Sequence, residues 1–228
     1  MSSSNSKGNQ QYWEENIEGF SGFYDTISEE NIQGASGFTW LYKKFMFPIE
    51  KKYMMDRHKA VSDYINENTE SGMKVADIGC GSGVYCKMML ERGVFVYGLD
   101  YAESAVKLTE KNLESASAEQ YKIEQFDITS SKIPEVDAAI SIGVLPYIAD
   151  LDIYLDNVLP QTDKFLFNFL DMNHPLNRLR KSLPFFDVRS YSFHKFQDVK
   201  SGVEQRGFSI VRKTPLATGF ILECKKNS

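Results

Sequence analysis

Between residue 74 and the C-terminus, short apolar runs alternate with longer segments in which apolar residues recur every three or four positions. The short runs are typical of buried strands, and the longer segments are typical of helices that pack on a sheet. This alternation predicts an α/β domain whose parallel sheet is covered by helices on both faces. The first five strands predicted in this way are Lys74–Ile78, Val94–Leu99, Tyr121–Gln125, Val136–Ile142 and Lys164–Leu170.

The segments between these strands carry helix signals. One helix is expected to begin at Val84 and to stop at Gly93, because glycine is common just after a helix. The next helix shows the one-sided apolar spacing of a helix packed on a sheet. The residues on that face are Ala102, Ala105, Val106, Thr109 and Leu113. Two further helices are expected at about Leu151–Leu159 and Phe196–Arg206.

The C-terminal end reads as a closing pair of strands. We expect Ser209–Val211 and Thr218–Cys224 to be these strands, with a turn at Thr214–Pro215 between them. Residues 1–10 are polar and rich in serine and asparagine, a composition typical of disorder. The following segment, up to about Tyr53, is aromatic-rich and is predicted to be helical.

The first predicted strand ends in the pattern D-x-G-x-G-x-G, formed by Asp77, Gly79, Gly81 and Gly83. Alternate glycines let the backbone turn tightly and bring its N–H groups close to a ligand at the start of a helix. Asp100 closes the second apolar run, where a carboxylate can accept both hydroxyls of a ribose. Together these features predict an adenosine-type cofactor.

The type of cofactor follows from the glycine spacing. The dinucleotide fingerprint G-x-G-x-x-G would need a glycine at the position of Val84, so a nicotinamide dehydrogenase is disfavoured. The D-x-G-x-G-x-G pattern instead resembles the first motif of the class I S-adenosylmethionine (SAM) dependent methyltransferases. The resemblance covers about residues 57–224 and implies a doubly wound, Rossmann-like α/β sheet of seven strands. That sheet would be mostly parallel with its last strand antiparallel, and the cofactor would be SAM, with S-adenosylhomocysteine as product.

The resemblance also implies which residues bind the cofactor. Asp77 would anchor the turn and reach the methionine end, Asp100 would bind the ribose, and Asp127 would accept a hydrogen bond from the adenine amino group. The cofactor-binding residues predicted are Asp77, Gly79, Cys80, Gly81, Gly83, Asp100, Tyr101, Asp127, Ile128 and Gly143. No metal is expected, because His and Cys residues never approach a zinc-ligand spacing.

Three residues are candidates for contact with the methyl acceptor. Tyr147 stands at the family's active-site position after the fourth strand, where many relatives have histidine. His174 follows the fifth strand and His194 precedes a helix, and an imidazole titrates near neutrality, as a general base should. For each histidine the alternative is an ordinary loop residue without a catalytic role. A base is needed only where the acceptor must lose a proton.

The acceptor class is suggested by two weaker signals. Short stretches of the C-terminal half loosely resemble magnesium-protoporphyrin O-methyltransferases and their quinone-pathway relatives, which implies an oxygen acceptor. Basic residues crowd one N-terminal stretch of an acidic chain, which suggests an anionic acceptor or a merely solvated helix face. These residues are Lys43, Lys44, Lys51, Lys52, Arg57 and Lys59.

Three parts of the chain are expected: a disordered tail (1–10) from its composition and, from the resemblance, an N-terminal helical lid (11–55) and a methyltransferase domain (56–228). The net charge of −5 disfavours a nucleic-acid substrate. No apolar stretch approaches the roughly eighteen residues that span a membrane, and the N-terminus lacks the apolar core of a signal peptide. The three cysteines are therefore expected to be reduced thiols in the cytoplasm.

The function predicted is methyl transfer from SAM to a small molecule, at oxygen. Methylation of a small-molecule nitrogen and a catalytically silent SAM-binding subunit are the alternatives. A nucleic-acid methyltransferase is disfavoured further, because the Asn/Asp-Pro-Pro-Tyr tetrapeptide of many amino-methylating relatives is absent after the fourth strand. The sequence leaves the oligomeric state open.

Overall fold

The computed structural model describes residue 14 and residues 47–175, 177–178 and 191–228. The predicted tail, 1–10, lies outside the described residues. Of the predicted lid, 11–55, the structure describes Glu14 and residues 47–55. Residues 47–55 belong to a helix that continues without a break through the predicted boundary at residue 56.

Seven strands and five α-helices make up the described part of the domain. The helices are α1 (Phe47–Asn68), α2 (Val84–Leu90), α3 (Glu103–Asn112), α4 (Leu151–Val158) and α5 (Phe196–Gln205). The strands are β1 (Lys74–Ile78), β2 (Phe95–Asp100), β3 (Tyr121–Gln125), β4 (Ala138–Ser141), β5 (Lys164–Leu170), β6 (Phe208–Leu216) and β7 (Gly219–Lys226). No described helix is both long enough and apolar enough to cross a membrane.

All seven strands form one sheet in the order β3-β2-β1-β4-β5-β7-β6. The first five strands in this order run parallel, and β7 runs antiparallel to both of its neighbours. The predicted fold, a seven-stranded sheet with an antiparallel last strand, is therefore confirmed. Its strand order reverses between β1 and β4, the point at which open α/β sheets bind their ligands.

Helices cover both faces of the sheet because successive strand residues point to opposite sides. On one face Val75 and Val96 pack with Val61 of α1 and Met89 of α2. On the other face the core includes Ala76 of β1, the aromatic rings of β5, and apolar residues of α4 and α5. The carboxyl ends of β1, β2, β4 and β5 thus meet along one edge of a sheet whose two faces are both packed.

The predicted turn at Thr214–Pro215 was wrong. Pro215 lies inside β6, opposite Phe220, and the hairpin turn follows at residues 217–218. Because β6 is the last strand of the sheet, the missing N–H of Pro215 interrupts no pairing on its outer side. Gly219 opens β7, and a Cβ atom there would lie 2.0 Å from the carbonyl oxygen of Phe169. At this end of the sheet β7 therefore approaches β5 so closely that only a glycine fits.

Candidate active site

Three glycines carry the chain from β1 into α2. Gly79, Gly81 and Gly83 have φ values of 75°, 59° and 78°, in a region where residues with a Cβ atom are strained. A Cβ atom on Gly79 would also lie 2.3 Å from Cγ2 of Val144. The predicted turn therefore needs its glycines for backbone reasons, and it packs directly against the segment that follows β4.

Asp100 ends β2 and lies beside the turn. Its Oδ2 accepts a hydrogen bond from the Gly81 amide at 2.9 Å, and its Oδ1 accepts one from the Ala102 amide at 3.0 Å. Burial raises the pKa of Asp100, although these backbone hydrogen bonds act in the opposite direction. Each carboxylate oxygen has two lone pairs, so both oxygens keep the capacity to accept a further hydrogen bond from a ligand.

Asp77 lies beneath the turn and is 1% exposed. The pKa of Asp77 is raised to about 7, mainly by burial and also by the negative charge of Asp100. A hydrogen bond from Cys86 acts in the opposite direction. The Cys86 thiol donates that hydrogen bond to Oδ2 of Asp77 at 3.3 Å. Asp77 is therefore a carboxyl group that titrates near neutrality and that a neighbouring cation would ionise.

Cys80 joins the turn to helix α3. Its Sγ lies 3.6 Å from Oγ1 of Thr109, and this hydroxyl donates to the Gly81 carbonyl at 2.9 Å. The hydrogen bond with Cys86 lowers the pKa of Cys80, but burial and the two nearby carboxylates outweigh it and raise that pKa. Cys80, Cys86 and Cys224 are buried and form no disulfide. The thiols therefore serve here as small packing groups rather than as nucleophiles.

The residues predicted on the adenine side occupy three different environments. Asp127 is exposed after β3, and its Oδ1 accepts hydrogen bonds from the amide and hydroxyl of Thr129 at 2.8 and 2.7 Å. Ile128 is buried in the core, and Tyr101 is half-buried at the end of β2. The Tyr101 carbonyl accepts a hydrogen bond from Gln125 at 3.1 Å, which ties the ends of β2 and β3 together.

Gly143 follows β4 with a φ of 86°. Its amide donates a hydrogen bond of 2.6 Å to Oδ1 of Asn168, a side chain that is 1% exposed in the middle of β5. Asn168 was missed by the sequence analysis, although it is the one polar residue within the apolar run of that strand. This hydrogen bond fixes Gly143, and the loop continues from there to Tyr147 on the predicted acceptor side.

Tyr147 and His194 come together beyond the ends of β4 and β5. The Ser192 amide donates to the Pro146 carbonyl at 2.6 Å, and the Tyr147 and Tyr191 rings are in tilted contact, with centroids 5.5 Å apart and an interplanar angle of 34°. The His194 Nε2 atom lies 3.1 Å from the Ile148 carbonyl, which can only accept, so Nε2 carries the proton. Burial lowers the pKa of His194 despite that hydrogen bond, so its neutral form is favoured.

His174 lies in the loop directly after β5. Its amide donates to the Asp171 carbonyl at 3.1 Å, and Asp171 forms a β-bridge with His194. Its Nδ1 atom is buried and has no hydrogen-bond partner among the described residues. The three predicted acceptor-side residues thus belong to one region beyond β4 and β5, although their catalytic roles stay predictions.

Two residues that precede β1 in the chain, Glu14 and Arg57, also reach this edge of the sheet. Glu14 accepts hydrogen bonds from the amides of Glu103 and Ser104 at 2.7 and 2.9 Å, at the N-terminus of α3, where a carboxylate is stabilised. Burial raises the pKa of Glu14, but these hydrogen bonds and the charge of Lys107 lower it overall. On α1, Nη1 of Arg57 lies 3.9 Å from where a Cβ atom of Gly143 would stand. Only the folded chain reveals either placement.

No group of three or more His, Cys, Asp or Glu side chains within the described ranges is arranged to hold a metal ion. The geometry instead groups an acidic turn at β1 and β2, a histidine- and tyrosine-rich region beyond β4 and β5, and Arg57 between them. Such an edge can bind an adenosine-type ligand and a second molecule next to it.

Comparisons with known proteins agree with this picture. Residues 69–177 match the family model described as "Methyltransferase domain", a segment that begins directly after α1, contains the glycine turn and ends shortly after His174. Among curated proteins, the ubiquinone biosynthesis O-methyltransferase of Chelativorans sp. (strain BNC1) is 27% identical over 86 residues, covering 37% of this chain and 34% of that protein. Its namesake from Sinorhizobium medicae (strain WSM419) is 24% identical over 117 residues, covering 47% of this chain and 45% of that protein. The chain therefore spans between a third and a half of the length of these relatives.

A solved structure extends the likeness to almost the whole chain. The magnesium protoporphyrin IX methyltransferase ChlM from Synechocystis PCC 6803, determined with bound SAH, superposes with a TM-score of 0.70 at 19% identity. The superposition covers 96% of this chain and 97% of that one. At this identity the likeness is one of fold. Together with the family match, it confirms the resemblance to methyltransferases that the glycine motif predicted.

Proposed function

We propose that this chain binds SAM and transfers its methyl group to an oxygen atom of a small, anionic acceptor. The observation that carries the proposal is the turn between β1 and α2, where three glycines at positive φ meet the carboxylate of Asp100. The family match includes this turn. The likeness to a methyltransferase crystallised with SAH supports the same cofactor.

The residues at this edge fit such a cofactor in charge and in hydrogen-bonding capacity. We assign the ribose hydroxyls to Asp100, whose two oxygens each retain a lone pair after bonding the Gly81 and Ala102 amides. We assign the cationic methionine end to the neighbourhood of Asp77, a carboxyl group that a positive charge would ionise. SAM supplies a methyl group already activated by its sulfonium, so this chain's residues act mainly by positioning.

The acceptor side needs a base only for some acceptors. A carboxylate oxygen is already a nucleophile, whereas a phenol must lose its proton as its oxygen bonds to the methyl carbon. For a phenol, the structure supports His194 as the acceptor of that proton, and His174 is the second candidate. Neutral His194 holds its proton on Nε2 and leaves Nδ1 as a base. We assign Tyr147 to contact with the acceptor, beside the Tyr191 ring.

An anionic acceptor is supported by Arg57. Its guanidinium reaches the Gly143 turn beyond β4, next to the region of Tyr147 and His194. An arginine binds a carboxylate or phosphate through two parallel hydrogen bonds. The names of the curated relatives, ubiquinone biosynthesis O-methyltransferases, support oxygen as the atom methylated.

The test uses the full chain in two stages. Calorimetry with SAM, S-adenosylhomocysteine and NAD should show binding of the first two only. Production of S-adenosylhomocysteine should then be followed with panels of carboxylic acids, phenols and amines. Turnover with an acid or phenol supports the proposal, and turnover with amines alone would overturn the oxygen assignment. Binding of NAD without SAM would overturn the cofactor assignment, and SAM binding without turnover of any acceptor would favour a silent SAM-binding subunit.

The role of Arg57 is tested by substitution. Arg57→Lys retains the charge but loses the paired hydrogen bonds, whereas Arg57→Gln loses both. If Arg57 binds the acceptor, KM for an anionic acceptor should rise in the order wild type, Lys, Gln, while Kd for SAM stays within about twofold. A change in SAM affinity with an unchanged acceptor KM would assign Arg57 to the cofactor instead.

A further inference from the structure

The thiol of Cys86 lies directly against the carboxyl group of Asp77. Cys86 belongs to the first turn of α2 and is 0% exposed, and Asp77 of β1 is 1% exposed. The thiol donates a hydrogen bond to Oδ2 of Asp77 at 3.3 Å. Among the described residues, Cys86 provides the side-chain hydrogen bond that acts on this carboxyl group. The packing of α2 on β1 thus places a donor against the acidic residue of the glycine motif.

The groups around Cys86 direct its proton to Asp77. The Cys80 thiol also contacts Cys86 and is the competing acceptor. The Thr109 hydroxyl donates its proton to the Gly81 carbonyl at 2.9 Å, so at 3.6 Å from Cys80 it acts as the acceptor and the Cys80 thiol as the donor. A thiol sulfur is a weak acceptor, whereas a carboxylate is a strong one. The Cys86 thiol therefore donates to Asp77.

The surroundings of Asp77 otherwise oppose its ionisation. In the described part of the chain, the titratable groups that face it are Cys86 of α2, Cys80 of the turn and Asp100 of β2, and none of them is a cation. Burial and the charge of Asp100 favour the protonated form of Asp77, whereas the Cys86 hydrogen bond favours the ionised form. Cys86 is thus the neighbour that prepares this carboxyl group for a positively charged ligand.

We infer that Cys86 is a positioning residue for cofactor binding: its thiol holds the Asp77 carboxyl group beneath the glycine turn and stabilises the ionised form that attracts the cationic end of SAM. The inference rests on the proposed function, because it takes SAM as the ligand beside Asp77. The hydrogen bond is stronger to a carboxylate than to a neutral carboxyl group. Its removal therefore weakens SAM binding only at a pH where the free protein keeps Asp77 protonated.

The first measurement needs no ligand. The side-chain carboxyl carbon of Asp77 is followed by ¹³C NMR in the full chain as the pH is raised, and in wild type the midpoint should lie at about pH 7. Cys86→Ala removes the donor and should raise this midpoint by about half a pH unit to one unit. Cys86→Ser should return the midpoint to the wild-type value or below it, because a hydroxyl donates more strongly than a thiol.

The second measurement is the Kd for SAM, obtained by calorimetry. Cys86→Ala should raise this Kd by about threefold to tenfold at about pH 6, and by less than about twofold at about pH 8.5, where Asp77 is mostly ionised in both proteins. Cys86→Ser should bind SAM as wild type does. The matched control is Cys224→Ala, which removes another thiol that is 0% exposed, on β7. It should leave the Asp77 midpoint unchanged and the Kd within about twofold of wild type at each pH.

Each outcome decides the role of Cys86. An unchanged Asp77 midpoint in Cys86→Ala would overturn the inference, and so would a loss of SAM affinity that is equal at every pH. A shifted midpoint with an unchanged pH profile of SAM binding would overturn the link between Cys86 and the cofactor. Where Cys86→Ala does not fold, Cys86→Val fills the space without a donor and takes its place. Absence of SAM binding in wild type would overturn the proposed function, while the titration without ligand still decides whether Cys86 acts on Asp77.

Discussion

Raising the pH through neutrality should destabilise this protein through one buried carboxyl group, that of Asp77. Burial raises its pKa from the ordinary 3.8 to about 7. Between these two values the folded protein keeps a proton that the unfolded chain has released, so the free energy of unfolding falls as the pH rises. At about 1.4 kcal/mol for each pH unit, the full effect is about 4 kcal/mol once Asp77 is ionised in both states.

The matched variant is Asp77→Asn, which does not titrate. Urea unfolding of both proteins without ligand should be measured at about pH 5, 6, 7 and 8. The free energy of unfolding of wild type minus that of the variant should fall by about 2 kcal/mol between pH 5 and 7, and change little above pH 8. Asp163→Asn, a substitution in an exposed ion pair, should follow wild type at every pH.

A difference between wild type and Asp77→Asn that stays constant from about pH 5 to 8 would refute the reasoning. It would mean that Asp77 is ionised throughout and that its burial is compensated by groups other than the Cys86 thiol. The cofactor gives an independent check. If the cationic end of SAM lies beside Asp77, binding near neutrality should release a proton, which calorimetry detects as an enthalpy that depends on the buffer.

Two further predictions concern residues at the same edge. Asp100→Ala removes the carboxylate that accepts hydrogen bonds from two backbone amides and, in our assignment, from the ribose hydroxyls. In a folded variant the affinity for SAM, measured by calorimetry, should therefore fall about tenfold to a hundredfold. Unchanged affinity would show that Asp100 does not bind the ribose. Glu14→Gln should lower stability by about 0.3–1 kcal/mol and speed hydrogen exchange at the Glu103 and Ser104 amides. Glu14→Asp should keep the charge on a shorter side chain. If the Glu103 and Ser104 amides exchange as slowly in Glu14→Gln as in wild type, Glu14 does not stabilise the N-terminus of this helix.

Much of the fold could be predicted because the central strands are apolar along their whole length. Burial on both faces leaves runs such as the one in β5, whose predicted and observed bounds coincide at Lys164–Leu170. The last-but-one strand was predicted too short for the opposite reason. β6 is an edge strand in which every residue after Phe208 is half-exposed or exposed, as Val211 is, so it lacks an apolar run to mark its length. Pro215 then resembled a turn although it lies within the strand.

The candidate site likewise contains residues that could be predicted from the sequence and residues that could not. The glycine turn and Asp100 could be predicted because they act through local backbone geometry, which the sequence records directly. Asn168 and Glu14 could not, since each bonds a distant part of the chain, and Arg57 could be named only as one member of a basic cluster. The Glu14 carboxylate bonds an amide 89 residues away, and no periodicity links the two positions. A single polar residue in the apolar run of β5 was the one available signal, for Asn168.

The structure gives a physical reason, beyond the missing glycine at Val84, why a diphosphate does not suit this turn. Dinucleotide-binding turns offer their backbone N–H groups to phosphate oxygens. Here the Gly81 N–H is already bonded to the protein's own Asp100 carboxylate at 2.9 Å, and Asp77 lies buried next to the turn. A diphosphate would lose one of its donors and would meet negative charge as Asp77 and Asp100 ionise. A cofactor that carries a sulfonium and an ammonium meets attraction from the same two groups. The charge of the turn therefore discriminates between the two cofactor classes in the same direction as the glycine spacing, by an independent mechanism.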